Sequence, residues 1–506
     1  MTADAEFKKS LPGLCLLSFS TFVVCVPAAF TQIISLDLMI DLNSFPDKGY
    51  SWAFPVFVAG ECASMGLCST LIDRYGRKNP YLAGSAAFIA GTIACAVCQD
   101  MSHFLLFRFV QGLGAGVIII TCIAQIFYDV RDRKKRYIAN GVMSLGFGLG
   151  MLVGVFAGKA VIDGMGWQMA FWSLAVMQAI VMFPCLQVLS RGVPGSAKAD
   201  FPGAVILAVW VCCFVLFLQK LYLDWDLNAP EGIMGSMFLI MLLMILLAAE
   251  VLNPNSVLHR RLDNWKLALA SMIFIVLLGT IDMAAVGAML KVAFFTYQMS
   301  IPETAPFFAL LVLGAAVTAV SVSKTIDKTG HLPWLLLSAV LSPAALLSML
   351  FVSKDDPSFV FAAHLILLGL AIGCLVSMLN ATIQNRAGED NNGALMGFAI
   401  MIRTAALWLG YNFYQYVTDV HMIEKLSGAV EHWNSILPFE LPADSALANL
   451  MITPLRDMVM LLPGLTDEIA AVYAEGIAQG LLYGAVIFVI AAVPTAVILA
   501  GRGKEL

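Results

Sequence analysis

Charge is what this chain lacks. Only 12% of its 506 residues are Asp, Glu, Lys or Arg, about half the share of an ordinary soluble domain. Apolar residues make up 60%, and the mean hydropathy is +0.86. So few charges cannot coat a water-facing surface, which leaves the lipid bilayer as the solvent. The 29 basic residues are dispersed against a net charge of -5, and no nucleic-acid partner is expected. The eleven cysteines fall mostly inside apolar runs, where they act as small hydrophobes, so no secreted disulfide framework is implied. Cys95-Ala-Val-Cys98 has redox spacing but lies in a greasy segment. A Walker A lysine loop, an HExxH helix and a His/Cys cluster with zinc spacing are all missing. Gly112-Leu-Gly-Ala-Gly116 and Gly146-Phe-Gly-Leu-Gly150 follow no strand, which argues against a dinucleotide loop. Neither a cofactor nor a metal nor enzymatic chemistry is expected, and a proton gradient is the suspected energy source.

What is present is a series of long apolar runs. A spanning helix needs about 20 such residues. Fourteen candidates lie near 11–34, 51–71, 80–98, 103–126, 138–162, 167–189, 201–222, 231–252, 266–290, 303–323, 332–352, 358–380, 394–417 and 476–500. The first follows Lys8 and Lys9 and reads as an uncleaved span rather than a signal peptide. Most connections are short; the exception, 418–475, is polar and is expected to form a loop on one side. With the N-terminus in the cytoplasm, inner segments hold 20 of the basic residues and outer segments 6. That is a positive-inside pattern. It places Arg131-Asp-Arg-Lys-Lys-Arg136 and the turn Ser69-Thr-Leu-Ile-Asp-Arg-Tyr-Gly-Arg-Lys78 inside.

That turn has an echo. Ser323-Lys-Thr-Ile-Asp-Lys-Thr-Gly-His-Leu332 repeats its Ser, Ile, Asp, basic residue and Gly in register, 254 residues on. A duplicated half is the build expected of a secondary transporter, with substrate held between the halves. The first turn resembles the signature loop of the major facilitator superfamily, matching it at Asp73, Arg74, Gly76, Arg77 and Lys78, with Ser69 in place of the leading glycine. Arg108-Phe-Val-Gln-Gly-Leu-Gly-Ala-Gly116 resembles the helix-4 motif of the same superfamily. Fourteen spans, Trp167-Gln-Met-Ala-Phe-Trp172 and a long last outer loop look like its drug:proton antiporter branch.

The resemblance implies an all-α integral membrane protein of the major-facilitator type, with both termini cytoplasmic. A six-helix bundle would occupy 1–190, two additional linking helices 191–265, and a second six-helix bundle 266–506 with the extracytoplasmic loop 418–475. It further implies a conformational latch in which Asp73 takes a partner on the facing half. Arg74, Gly76, Arg77 and Lys78 belong to that latch, as do Asp327, Lys328 and Gly330 of the second copy. In the family the arginine matched by Arg108 is tied to proton coupling, with Gln111 beside it, and an arginine is expected at Arg403.

The remaining candidates come from the residues themselves. A charge inside a span costs at least about 3 kcal/mol, so Arg108 should face a partner or a wet cavity rather than lipid. Glu61 and Asp282 are acids near the middle of spans 2 and 9, and one of the two is expected to carry the coupling proton. His364 reads as a core residue. Gly146, Gly150, Gly154 and Gly158 recur every four residues in span 5, giving a smooth face for close helix packing, as Gly112 does in span 4. Span 5 departs from the antiporter pattern at Met151 and Val155, and span 1 lacks the acid typical of that branch.

The pocket is expected among spans 1, 4, 5 and 9 with 13 nearby, and Phe294, Phe295, Tyr297 and Met299 fit a greasy lining. His421, Glu424, Glu431 and His432 have spacing too mixed for a metal site. The expected function is proton-coupled efflux of a small amphipathic organic solute across the cell (cytoplasmic, or inner) membrane. The partners would be that solute and the bilayer, and the protein is expected to act as a monomer. An importer or uniporter without proton antiport is the alternative, and a membrane-embedded lipid-modifying enzyme a remote one.

Overall fold

The computed structural model describes residues 3–34, 38, 41–42, 51–189, 200–223, 227–253, 265–297, 299–351, 356–386, 392–435 and 463–500. Among them are fourteen long helices and no strand. They are α1 (Ala3–Ile33), α2 (Ala53–Tyr75), α3 (Lys78–Val97), α4 (Met101–Asp129), α5 (Arg133–Met165), α6 (Trp167–Val188), α7 (Phe201–Leu223) and α8 (Pro230–Leu252). There follow α9, in which a π-helical turn (Leu278–Met283) joins Trp265–Leu277 to Ala284–Phe295, then α10 (Ile301–Thr329), α11 (Leu332–Ser348), α12 (Ser358–Arg386), α13 (Asn392–Asn434) and α14 (Pro463–Ala500). Thirteen contain stretches long and apolar enough to cross a membrane. In α2 the described apolar stretch is Ala53–Ser69.

The sequence echo is a structural repeat. Gly76 ends α2 at φ 78°, ψ -176°, and Gly330 ends α10 at φ 72°, ψ -175°, a backbone region open essentially to glycine alone. The Gly76 N–H donates to Ile72 O at 3.0 Å and the Gly330 N–H to Ile326 O at 2.8 Å. Ser69 and Ser323 each donate their hydroxyl to the carbonyl three residues back, both at 2.7 Å.

Packing follows the same register. A Cβ on Gly112 or Gly116 of α4 would strike the carbonyls of Phe57 and Glu61 on α2; one on Gly369 or Gly373 of α12 would strike those of Leu311 and Ala315 on α10. Leu311 and Ala315 lie 254 residues beyond Phe57 and Glu61. Likewise Gly146, Gly150 and Gly154 of α5 rest on the carbonyls of Ser18, Phe22 and Val26, and Gly410 of α13 rests on that of Thr280, which is 254 beyond Val26. Small residues let backbones meet at these crossings, where lipid gives no hydrophobic drive. Thus α1/α5, α2/α4 and α3/α6 recur as α9/α13, α10/α12 and α11/α14, and the two sets meet along α2/α13 and α5/α10. The two additional helices stand to one side, α7 against α2 and α8 against α7.

The expected loop at 418–475 is shorter than its polar composition suggests. Helix α13 continues to Asn434 and α14 begins at Pro463; residues 436–462 lie outside the described residues. The continuation has a reason: Tyr414, Thr418, Met422 and Leu426 recur every four residues and are all buried, giving α13 a face to bury well past its apolar run.

Candidate functional site

A chamber of about 290 Å3 lies where the two sets of helices meet. Its walls come from α1, α4, α5 and α9, with α13 beside them, as expected, and α2, α10 and α12 are added. The lining is mostly apolar, with Phe54, Phe57, Met151, Phe308, Trp408 and Tyr411 supplying much of the bulk. Two charged side chains face it: Glu61 from α2 and Arg403 from α13, each 6% exposed. They stand on opposite sides of the α2/α13 seam. Glu61 lies in the field of Arg403 first and of Arg108 second. At the twofold-related seam the place of Glu61 is taken by Ala315, which also lines the chamber. The charge is therefore confined to one seam. Phe294, Tyr297 and Met299 are not in the lining; they pack against the core, with Tyr297 5.1 Å from the Phe361 ring.

Arg108 is fully buried. Its Nε donates to Ala53 O at 3.1 Å, its Nη2 to Pro27 O at 3.3 Å, and its Nη1 to Gln111 Oε1; Phe57 lies 4.4 Å from the guanidinium carbon. Gln111 in turn donates to Thr92 Oγ1 at 2.8 Å. One guanidinium fork therefore ties α1, α2 and α4 together, and through Gln111 it reaches α3. Arg108 sits behind the chamber wall and does not snorkel.

Asp282 is also fully buried, inside the π-turn of α9. Its Oδ2 accepts from Ser342 Oγ of α11 at 2.9 Å, and its Oδ1 has no partner. Its neighbours Met283 and Ala284 line the chamber, whereas Asp282 itself faces α11. His364 pairs with Ser348 Oγ at 2.8 Å, and His421 with Glu475 at 3.2 Å.

For Asp73 and Asp327 the description stops at the backbone, and Gly158 continues α5 beyond the described close contacts. Arg77 is buried; its Nε donates to Gln125 Oε1 at 2.6 Å and its guanidinium stacks 3.5 Å from the Tyr128 ring centre, both on α4 of its own half. Arg74 and Lys328 are exposed and Lys78 half-buried.

At the same end, residues that sequence reasoning did not single out tie the halves together. Asn140 Nδ2 of α5 donates to Gln384 Oε1 of α12 at 2.7 Å, and Gln384 Nε2 donates to Ile123 O of α4 at 3.1 Å. Arg136 Nη1 donates to Asn385 Oδ1 at 3.2 Å, and Asn385 Nδ2 to Arg133 O at 3.3 Å. Tyr137 and His331 meet at 3.1 Å. Asn140 and Gln384 are buried, so this network closes the basic end of the chamber. The one available hint was Gln384-Asn385-Arg386, three polar residues closing a greasy span.

Breaking this network should loosen that end. In Gln384→Leu its bonds to Asn140 and Ile123 are lost, so that the Asn140 amide loses this partner across the seam, a cost of about 1–3 kcal/mol. With a cysteine placed at Ser144, a chamber residue, Gln384→Leu should raise the rate of thiol labelling from the basic end at least fivefold. An unchanged rate would mean that closure rests elsewhere.

Known proteins give this arrangement a context. The chain is 29% identical over 194 residues to multidrug resistance protein 3 of Bacillus subtilis, covering 38% of this chain and 37% of that protein. It is 35% identical over 151 residues to the multidrug resistance protein MdtL of Shigella flexneri, covering 29% of this chain and 38% of that one. With the multidrug transporter MdtP of Bacillus subtilis it shares 20% identity over 361 residues, 70% of this chain and 65% of the relative. In each case the chain matches less than two thirds of the relative's length. Among solved structures, the human organic anion transporter MFSD10 superposes with a TM-score of 0.60 at 12% identity, covering 98% of this chain and all of that one. A bacterial homologue of the human lysosomal transporter Spinster gives 0.58 at 14% identity, covering 99% and 98%; at such identities the likeness speaks for the fold. The family model of the Major Facilitator Superfamily matches residues 13–411. With twelve of its fourteen described helices paired in two repeats about a central chamber, this multi-pass membrane protein belongs to the major facilitator superfamily.

Proposed function

We propose that the protein exports a small amphipathic organic solute across the cell (cytoplasmic, or inner) membrane in exchange for protons, with its basic end in the cytoplasm. It works as a monomer, needs no bound cofactor, and has the solute and the bilayer as its partners. The observation that carries this reading is the chamber itself. It is apolar, it lies between the halves, it is closed at the basic end, and it holds one acid and one guanidinium across a seam that must shift when the halves rock. An apolar lining with a few convergent polar groups suits an amphipathic ligand. The multidrug relatives support the class of solute.

Purified protein in liposomes, given a panel of amphipathic dyes with and without an imposed pH gradient, tests it. Export against the dye gradient should appear when the lumen and bath differ in pH and vanish when they do not. Equal downhill flux in both conditions would instead favour the importer or uniporter reading. That reading has its own support: span 1 carries no acid among Val26-Pro-Ala-Ala-Phe-Thr31, and Glu61 is already flanked by two cations.

A further inference from the structure

Beside the main chamber, within the second repeat, lies a compartment of about 10 Å3, room for one water. It is bounded by Lys291 of α9, by Tyr411, Tyr414 and Gln415 of α13, and by Tyr473 of α14. Gly287 and Tyr411 belong to both spaces. The ring of Tyr411 rests 3.6 Å from where a Cβ on Gly287 would stand. That ring is the partition between the two volumes, and the missing side chain at 287 leaves it room to swing.

The Lys291 ammonium is held in an aromatic box. The Tyr411 and Tyr473 rings lie 5.8 and 5.7 Å away. An ammonium has three N–H donors, and Gln415 Oε1 takes one of them. Gln415 then donates to Asp419 Oδ1 at 3.2 Å. The countercharge of Lys291 is thus set back behind an amide, and the cation is positioned without a direct carboxylate. Around the chamber as a whole, Glu61 is flanked by Arg403 and Arg108. Arg403 lines the apolar volume, Arg108 stands behind its wall and Lys291 behind the Tyr411 ring, so three cations surround a volume into which a single described acid faces.

From this we infer that Lys291 is the headgroup anchor for an amphipathic organic anion. The apolar body of the ligand fills the main chamber against Phe57, Met151 and Trp408. The Tyr411 ring swings aside so that the two volumes merge, and the carboxylate then accepts from the Lys291 ammonium in place of the single water the compartment otherwise has room for. A carboxylate accepts where the box offers donors, whereas an ammonium ligand would meet a fixed positive charge there. This inference rests on the transporter reading and names the solute class for the same chamber.

The test is a matched series of ligands with one alkyl–aryl body and a carboxylate, a carboxamide or an ammonium head. Their binding to the purified full-length protein is followed by quenching of tryptophan fluorescence, Trp408 being in the chamber wall. The wild type should bind the carboxylate about tenfold more tightly than the amide, a difference of about 1.4 kcal/mol. In Lys291→Gln the carboxylate should weaken about tenfold and the amide stay unchanged. In Lys291→Arg the preference should survive. Gln415→Glu keeps Lys291 and supplies it with an internal carboxylate, so it too should erase the preference, a check that does not depend on the lysine variant folding. Equal binding of carboxylate and amide to the wild type, or a preference that persists in both Lys291→Gln and Gln415→Glu, overturns the anion anchor and leaves the chamber intact as an amphiphile site. Binding of none of the three overturns both.

Discussion

Arg108→Ala should yield little folded protein, and Arg108→Met should yield folded protein that barely transports. The two variants separate packing from charge. Alanine leaves Gln111 Oε1 without its donor, at about 1–3 kcal/mol, and opens a void among α1, α2 and α4 worth about 2–5 kcal/mol. Removing a buried charge returns about 3 kcal/mol by insertion scales. The balance for alanine therefore lies on the side of loss. Methionine fills most of the void, so the lost hydrogen bonds oppose the relief, chiefly at the Gln111 oxygen because the Ala53 and Pro27 carbonyls belong to helices, and the two nearly cancel. Thermal unfolding in detergent should place Arg108→Met within a few degrees of wild type and Arg108→Ala well below it.

Transport should nonetheless fall at least tenfold in Arg108→Met. The guanidinium holds the Pro27 carbonyl, beside the chamber residues Ala28 and Ala29, and underlies Phe57 on the facing wall. It is also the second of the two cations acting on Glu61. A methionine variant that melts like wild type and transports like wild type would reduce Arg108 to a packing residue.

The sequence made some of this visible and hid the rest, for reasons that can be traced to particular residues. Gly76 and Gly330 were visible because a turn at positive φ restricts the residue type, so the two copies kept their glycines in register. The period-four glycines of α5 were visible because close approach of two helices leaves no alternative at Gly146, Gly150 and Gly154. Glu61 and Arg403 stood out as charges in grease, and the fold brings both to the chamber; Asp282 stood out equally and is turned toward α11 instead. Local pattern places a residue on a helix, whereas its face depends on helix rotation. The π-turn, with its extra residue per turn, shifts that rotation inside α9, and nothing in Leu-Gly-Thr-Ile-Asp-Met announces it.

The seal at the basic end was hidden for a different reason. Asn140 and Gln384 are common polar residues 244 positions apart, and their pairing exists only once the halves dock. Lys291 was hidden for the same reason, because its tyrosine box comes from α13 and α14 and exists only once the second repeat has packed.

Glu61→Gln should abolish the effect of a pH gradient on export while leaving downhill flux within about threefold of wild type. Asp282→Asn should leave both nearly intact. The difference follows from where each acid sits. Glu61 faces the chamber at the seam of the two repeats, with Arg403 on the other side, so any rocking of the halves changes the work of holding its charge. A glutamine there keeps the shape and removes what Arg403 attracts. Asp282 is enclosed within one repeat, bonded to Ser342 Oγ, and an asparagine oxygen can accept the same bond. Its twofold counterpart in α1 is Ala28, so the repeat architecture itself does not require an acid at that position. Flux in liposomes at matched expression, with the inside and outside pH set independently, reads both variants. If Asp282→Asn lost the gradient effect and Glu61→Gln kept it, the coupling proton would belong to the π-turn of α9, transmitted through the contact of Gly279 with the Arg403 carbonyl. If both variants kept it, neither acid would carry the proton, and the charged seam would serve only to hold the two repeats together.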